Sequence, residues 1–84
     1  PVATWSARVQ SDGTDLNARY RLGMALAADG RINDALEIWL TMVREDRTFL
    51  DDGARKAMLM AFEVLGLGSP ESNAWRSRLA SVLY

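Results

Sequence analysis

The run Arg19-Tyr20-Arg21-Leu22-Gly23-Met24-Ala25-Leu26 and the later segment Ala35-Leu36-Glu37-Ile38-Trp39 decide the fold. Gly30 lies between them, and a glycine at this place can take the left-handed conformation that ends a helix. Because only a few residues connect the two helices, the helices must lie antiparallel. The small residues Gly23 and Ala35 let the two backbones approach closely. The space around this contact is filled by Leu22, Leu26 and Trp39.

This spacing resembles one tetratricopeptide repeat, whose pattern is W-x2-L-G-x2-Y followed by A-x3-F over about 34 residues. In this chain Leu22-Gly23-x2-Leu26 corresponds to the first part, and Ala35-x3-Trp39 corresponds to the second. The resemblance implies an all-α fold of antiparallel helical hairpins of tetratricopeptide-repeat type. It also implies a scaffold for protein–protein interaction.

The composition predicts one small soluble helical domain, because 49% of the 84 residues are apolar and 25% are charged. A net charge of -1 gives no basic surface for nucleic acid. No apolar run reaches the roughly 18 residues of a membrane span, so no membrane partner is expected. The absence of cysteine suits a cytoplasmic location. Because the chain starts at Pro1 and not at methionine, we expect it to be a fragment of a longer protein.

Local signals predict five helices. A short leading helix lies within residues 1–11, and the second helix runs to about Asp29. Asn33-Asp34 are expected to place a cap and a negative charge at the start of the third helix, and the carboxylates of Asp51-Asp52 to begin the fourth near its positive dipole end. Ser69-Pro70 begins the last helix, because serine caps free N–H groups and proline fits the first helical position.

A weaker copy of the first pattern follows at a constant shift of 38 residues. The matched positions are Arg19, Leu22, Gly23, Leu26 and Gly30, which recur as Ala57, Met60, Ala61, Val64 and Gly68. The shift exceeds the usual repeat by about one helical turn. We therefore predict a single domain over residues 1–84, with the leading helix at 1–11, a first repeat at 15–47 and a degenerate second repeat at 51–84.

Three segments carry a more specific resemblance. They are Leu16-Asn17-Ala18-Arg19-Tyr20-Arg21-Leu22, Asp51-Asp52-Gly53-Ala54-Arg55-Lys56-Ala57 and Trp75-Arg76-Ser77-Arg78-Leu79-Ala80-Ser81-Val82-Leu83-Tyr84. Together they resemble the C-terminal tetratricopeptide-like region of bacterial thioredoxin-fold co-chaperones of the chaperedoxin type. This resemblance implies a preceding thioredoxin-like domain. It also implies that the partners are chaperones, unfolded clients or that N-terminal domain itself.

In tetratricopeptide arrays the first helix of each repeat lines a concave groove, and the resemblance assigns partner-binding residues to this chain. They are Asn17, Tyr20, Arg21 and Met24 in the first repeat, with Arg55, Met58, Leu59 and Phe62 in the second. Repeat proteins that grip a carboxylate have lysine and asparagine in place of Tyr20 and Met24, so an apolar peptide or a docked helix fits better. The competing interpretation places Tyr20, Met24 and Phe62 in the core, because a domain this small needs most of its apolar surface to fold.

Catalytic chemistry is poorly supplied. The chain has no histidine, no cysteine and no glycine-rich phosphate loop after a strand. Asp51-Asp52 could form an acid–base pair or hold a cation, but their place at the positive end of a helix dipole is sufficient to explain them. We predict no enzyme activity, no cofactor and no metal. Two functions remain, which are an interaction module in a co-chaperone tail and a packing or self-association module without an independent ligand.

Overall fold

Five helices and no strand make up the computed structural model, which describes all 84 residues from Pro1 to Tyr84. The helices are α1 (Val2–Ser11), α2 (Leu16–Ala28), α3 (Ile32–Glu45), α4 (Gly53–Leu65) and α5 (Pro70–Leu83). The prediction of an all-α fold is confirmed.

The central element is α3, which packs against α2, α4 and α5, while α1 packs against α2. Short connections place α2 and α4 antiparallel to α3, so α2 and α4 run in the same direction. The apolar positions of α3 recur at steps of three and four, which gives this helix a wide buried face. That face consists of Ala35, Leu36, Trp39, Leu40, Met42 and Val43.

The contact between α2 and α3 depends on Gly23. A Cβ atom at this position would lie 2.7 Å from Cε2 of Trp39, whose side chain is 2% exposed. The indole therefore lies directly on the glycine backbone, and its Nε1 donates a weak hydrogen bond to the carbonyl oxygen of Tyr20 at 3.5 Å. The predicted close approach of the helices at Gly23 is confirmed.

Two of the predicted helix boundaries have the expected geometry. Gly30 has a φ of 81°, and it follows α2 in a turn where the Arg31 N–H donates to the carbonyl oxygen of Leu26 at 2.8 Å. At the start of α5, the hydroxyl of Ser69 accepts a hydrogen bond from the Ser72 N–H at 3.1 Å. Both signals act within a few residues, which is why the sequence reveals them.

The predicted cap of α3 is wrong. The helix begins at Ile32 without a side-chain cap. The amide oxygen of Asn33 instead accepts a hydrogen bond from Trp75 Nε1 at 2.9 Å, which ties α3 to α5. Asp34 does place the expected negative charge in the first turn of α3, where it forms an ion pair with Arg31 at 2.9 Å. Both side chains are thus engaged in contacts that leave the helix N–H groups free.

The second hairpin is more open than the first, because α5 lies mainly against α3 and touches α4 less. An ion pair between Arg78 and Glu37 adds to the attachment of α5 to α3. The division of the chain into repeats at 15–47 and 51–84 stays a prediction.

The molecule is thin, with principal extents of 36 × 27 × 17 Å. A helix with its side chains is about 10–12 Å across, so the shortest dimension has room for no more than two layers of helices. Each helix therefore keeps one face at the surface. This shape explains how Met60, Val64 and Leu67 remain 69%, 72% and 65% exposed although they are apolar.

Candidate interaction groove

An apolar groove of about 730 Å³ lies between α2 and α4. Small or buried residues form its floor, and larger, more exposed residues form its edges. The floor residues are Ala27, Trp39, Gly53, Ala57 and Ala61, and the edge residues are Tyr20, Met24, Leu50, Met60 and Val64.

The depth of the groove follows from small side chains on one face of α4. Gly53, Ala57 and Ala61 are spaced four residues apart, so they lie on the same side of the helix. Ala57 and Ala61 are 6% and 5% exposed. Because these side chains are too short to fill the space between α4 and α2, a cleft remains above them.

The edges of the groove are unusually apolar for a surface. Met24 on α2 is 47% exposed, and Met60 and Val64 on α4 are more exposed still. A contiguous exposed apolar surface around a concave floor is typical of an interaction site.

A second concavity of about 250 Å³ adjoins the groove. It is lined by Leu50 and by the four α2 residues predicted to bind a partner, Asn17, Tyr20, Arg21 and Met24. Tyr20, Met24 and Leu50 line both concavities, so the two adjoin along these three side chains. The structure therefore brings the four α2 residues together beside the apolar groove.

Few charges reach this surface. Lys56 lines the groove and forms an ion pair with Asp51 at 3.3 Å, while Glu63 lines it and forms no ion pair. The guanidinium of Arg21 lies 5.6 Å from the centre of the Trp5 ring. The surface is thus apolar with isolated charges at its margin.

The two groups with shifted pKa values lie outside the groove. The side-chain hydrogen bond from Thr14, followed by the backbone hydrogen bond from the same residue, lowers the pKa of Asp12. A hydrogen bond to Glu37 raises the pKa of Arg78. Neither shift supplies acid–base chemistry at the groove.

The residues predicted for the second repeat need correction. Met58 and Phe62 are 0% exposed and belong to the hydrophobic core, so they do not line the groove. The resemblance to tetratricopeptide arrays assigned them to the groove as the counterparts of Tyr20 and Met24, which assumes that α4 and α2 present the same face. Arg55 is half-buried, lies outside the groove lining and pairs with Asp52.

Leu50, Lys56, Met60 and Val64 are groove residues that the sequence interpretation missed. The repeat pattern matched Met60 and Val64 to Leu22 and Leu26, which predicts burial for both. A signal for them exists, since α4 is apolar on almost every side and carries more apolar positions than one neighbouring helix can bury.

Comparison with known proteins identifies a family. The model of a tetratricopeptide-repeat family matches residues 1–84, which is the whole chain. No curated protein matches the chain significantly. None of the helices combines the length and the apolar character needed to cross a membrane. Domains built from tetratricopeptide repeats generally mediate protein–protein interaction. Because the family match and the helical hairpins agree, the chain belongs to the tetratricopeptide-repeat family.

Proposed function

We propose that this chain is a protein–protein interaction module that binds an apolar segment of a chaperone or an unfolded client in the groove between α2 and α4. The observation that carries the proposal is the ring of exposed apolar side chains, Met24, Met60 and Val64, around a floor of small residues. Water covers this surface in the free protein, and a bound apolar segment would remove it from water.

The groove offers enough apolar surface for a useful affinity. Full burial of one leucine-sized side chain contributes about 1.5–3 kcal/mol, and a groove of about 730 Å³ holds several such groups. The summed burial of several such groups, reduced by the free-energy cost of association, corresponds to weak or moderate binding. Methionines at both edges suit varied partners, because their unbranched side chains adapt to different shapes.

The more specific part of the proposal places this module at the C-terminus of a cytoplasmic thioredoxin-fold co-chaperone. The resemblance of the three segments that begin at Leu16, Asp51 and Trp75 supports this assignment. In that setting the groove would hold a client or contact a folding chaperone, and the other faces would pack on the N-terminal thioredoxin-like domain. The chain itself performs no catalysis in this proposal.

A peptide titration tests the groove. The probe is a fluorescently labelled leucine-rich peptide, with a twin in which serine replaces every leucine. Met60→Glu and Met24→Glu place a carboxylate on an apolar edge, so each should weaken peptide binding at least about tenfold. The matched control is Leu67→Glu, which alters an equally exposed residue outside the groove and should leave the affinity unchanged. Equal binding by wild type and Met60→Glu would refute the proposal, provided that circular dichroism shows intact helices.

Self-association is the second candidate, and a different observation favours it. Met60 and Val64 lie one turn apart on α4, Leu67 follows two residues after the end of this helix, and all three are exposed by 65–72%. These three residues form an apolar stripe that extends from the groove past the end of α4, and a second copy of the chain could cover it. Light scattering at increasing protein concentration distinguishes the two. A dimer held by the stripe should dissociate in both Met60→Glu and Leu67→Glu, whereas peptide binding should respond to Met60→Glu but not to Leu67→Glu.

A further inference from the structure

We propose that Leu50 is a displaceable plug that divides the interaction surface in the free protein and gives way to an apolar side chain of the bound segment. This inference rests on the proposed function and adds a mechanism that regulates access to the same site. The place that the plug occupies, above the backbone of Gly53, is called the Gly53 seat below.

The position of Leu50 is the first observation. Its side chain lines both the larger groove and the smaller concavity, yet it is 59% exposed. A Cβ atom built on Gly53 would lie 3.0 Å from Leu50 Cβ and 3.2 Å from its Cδ2, and its three nearest neighbours all belong to Leu50. The Gly53 seat is therefore filled by this side chain.

The backbone around the plug is the second observation. Leu50, Asp51 and Asp52 have φ values of 52°, 53° and 66°, which puts three consecutive non-glycine residues in the left-handed region. Aspartate tolerates this region better than most residues, but leucine rarely adopts it because its Cβ approaches a carbonyl oxygen. Such strain persists only where surrounding contacts hold it, and a movement of Leu50 away from the seat would release it.

The turn is held by exposed contacts at Asp51 and by half-buried contacts on either side of it. Asp51, whose side chain is 99% exposed, pairs with Lys56 at 3.3 Å. The Asp51 N–H donates to the carbonyl oxygen of Thr48 at 3.2 Å, the Gly53 N–H donates to the carbonyl oxygen of Phe49 at 3.0 Å, and the half-buried Asp52 pairs with Arg55. Local opening requires little free energy where a segment has few buried contacts and exposed hydrogen bonds. The turn can therefore open at Leu50 and Asp51, while the contacts of Asp52 and Gly53 keep the start of α4 in place.

The chemistry of the occupant follows from the side chain that it replaces. The Gly53 seat holds an isobutyl group beside Tyr20 and Met24, so a leucine-like side chain of a peptide fits the same surroundings. Once Leu50 moves away, the concavities of about 730 Å³ and 250 Å³ join, and a longer apolar segment can lie across both. A peptide without large apolar side chains gains nothing from this opening.

The leucine-rich peptide described above tests the plug. If the open turn is a minor state of about 10%, the closed plug reduces the apparent affinity about tenfold. Leu50→Asn removes the apolar plug, and asparagine tolerates the left-handed conformation. We expect Leu50→Asn to bind the leucine-rich peptide about tenfold more tightly than wild type. Leu67→Asn, which changes an exposed leucine outside the groove, should bind like wild type.

Hydrogen exchange gives a second measurement. When the peptide binds to wild type, the Asp51 amide should exchange faster, because its hydrogen bond to Thr48 opens with the turn. Unchanged or weaker binding by Leu50→Asn would overturn the plug, since Leu50 would then be a bystander or a direct contact. Slower exchange of the Asp51 amide on binding would overturn it as well. Absence of peptide binding by wild type and Leu50→Asn alike would instead refute the proposed function, and the plug with it.

Discussion

Replacement of Gly23 by alanine tests the contact on which the first hairpin depends. Gly23 lies inside α2, and the indole of Trp39 rests on its backbone. In an unconstrained helix the change would stabilise the fold by about 1 kcal/mol, because alanine is the better helix former. Helix propensity and packing therefore predict changes of opposite sign in the free energy of unfolding, and the measured sign decides which of them dominates here.

The geometry indicates that packing dominates. The new Cβ would lie 2.7 Å from Trp39 Cε2, and the indole is rigid and only 2% exposed. Overpacking of a core costs about 1–3 kcal/mol, and such an approach to a buried ring belongs at the upper end. Subtraction of the propensity gain leaves a loss of about 2 kcal/mol in the free energy of unfolding. For a domain of this size the expected decrease in Tm is about 10 °C.

Urea unfolding followed by far-ultraviolet circular dichroism measures this loss. Gly13→Ala is the matched control, because its Cβ would meet no atom closer than the Val9 carbonyl oxygen at 3.9 Å, so the change should stay within about 0.5 kcal/mol. Combining Gly23→Ala with Trp39→Phe gives the new methyl group more room, so the losses of the two single variants should not add. If Gly23→Ala were as stable as wild type, the reasoning on this contact would be refuted.

Two further predictions concern individual hydrogen bonds. Asn33→Ala leaves Trp75 Nε1 without its partner and should lower the free energy of unfolding by about 1 kcal/mol. Asn73→Ala, the control, removes only an exposed local hydrogen bond and should lower it less. Thermal unfolding of the two variants measures the difference. Thr14→Ala should raise the lowered pKa of Asp12 towards its ordinary value of 3.8, as measured by NMR titration. Since the folded-state pKa of Asp12 is lowered, the stabilisation by Thr14 is present above pH 3.8 and is lost as the pH falls through the folded-state pKa. If the pKa of Asp12 stayed unchanged in Thr14→Ala, this assignment would be contradicted.

The parts of the fold that sequence could predict depend on short-range causes. Gly23 and Trp39 belong to neighbouring helices joined by a short loop, so their spacing alone predicts their contact. Gly30 ends α2 and Ser69 caps α5 through hydrogen bonds between residues that are close in the sequence. Each of these signals has a physical cause that lies almost entirely inside the local chain.

Asn33 shows why other features could not be predicted. In the sequence Asn33 looks like the cap of α3, since it lies near the start of this helix and asparagine side chains readily accept hydrogen bonds from backbone N–H groups. Its actual partner is Trp75, which is 42 residues away. The choice between the two partners depends on where α5 lies against α3, and no local pattern contains that information.

The same reasoning explains the error at α4 and gives the groove its physical origin. Because α4 is apolar on nearly every side, a shift of 38 residues cannot tell which face its neighbours cover. The face with Met58 and Phe62 enters the core, while Met60 and Val64 remain outside. None of the five helices covers these two residues. The groove is thus a surface that one more helix or peptide would bury, which is the physical reason to expect a partner there.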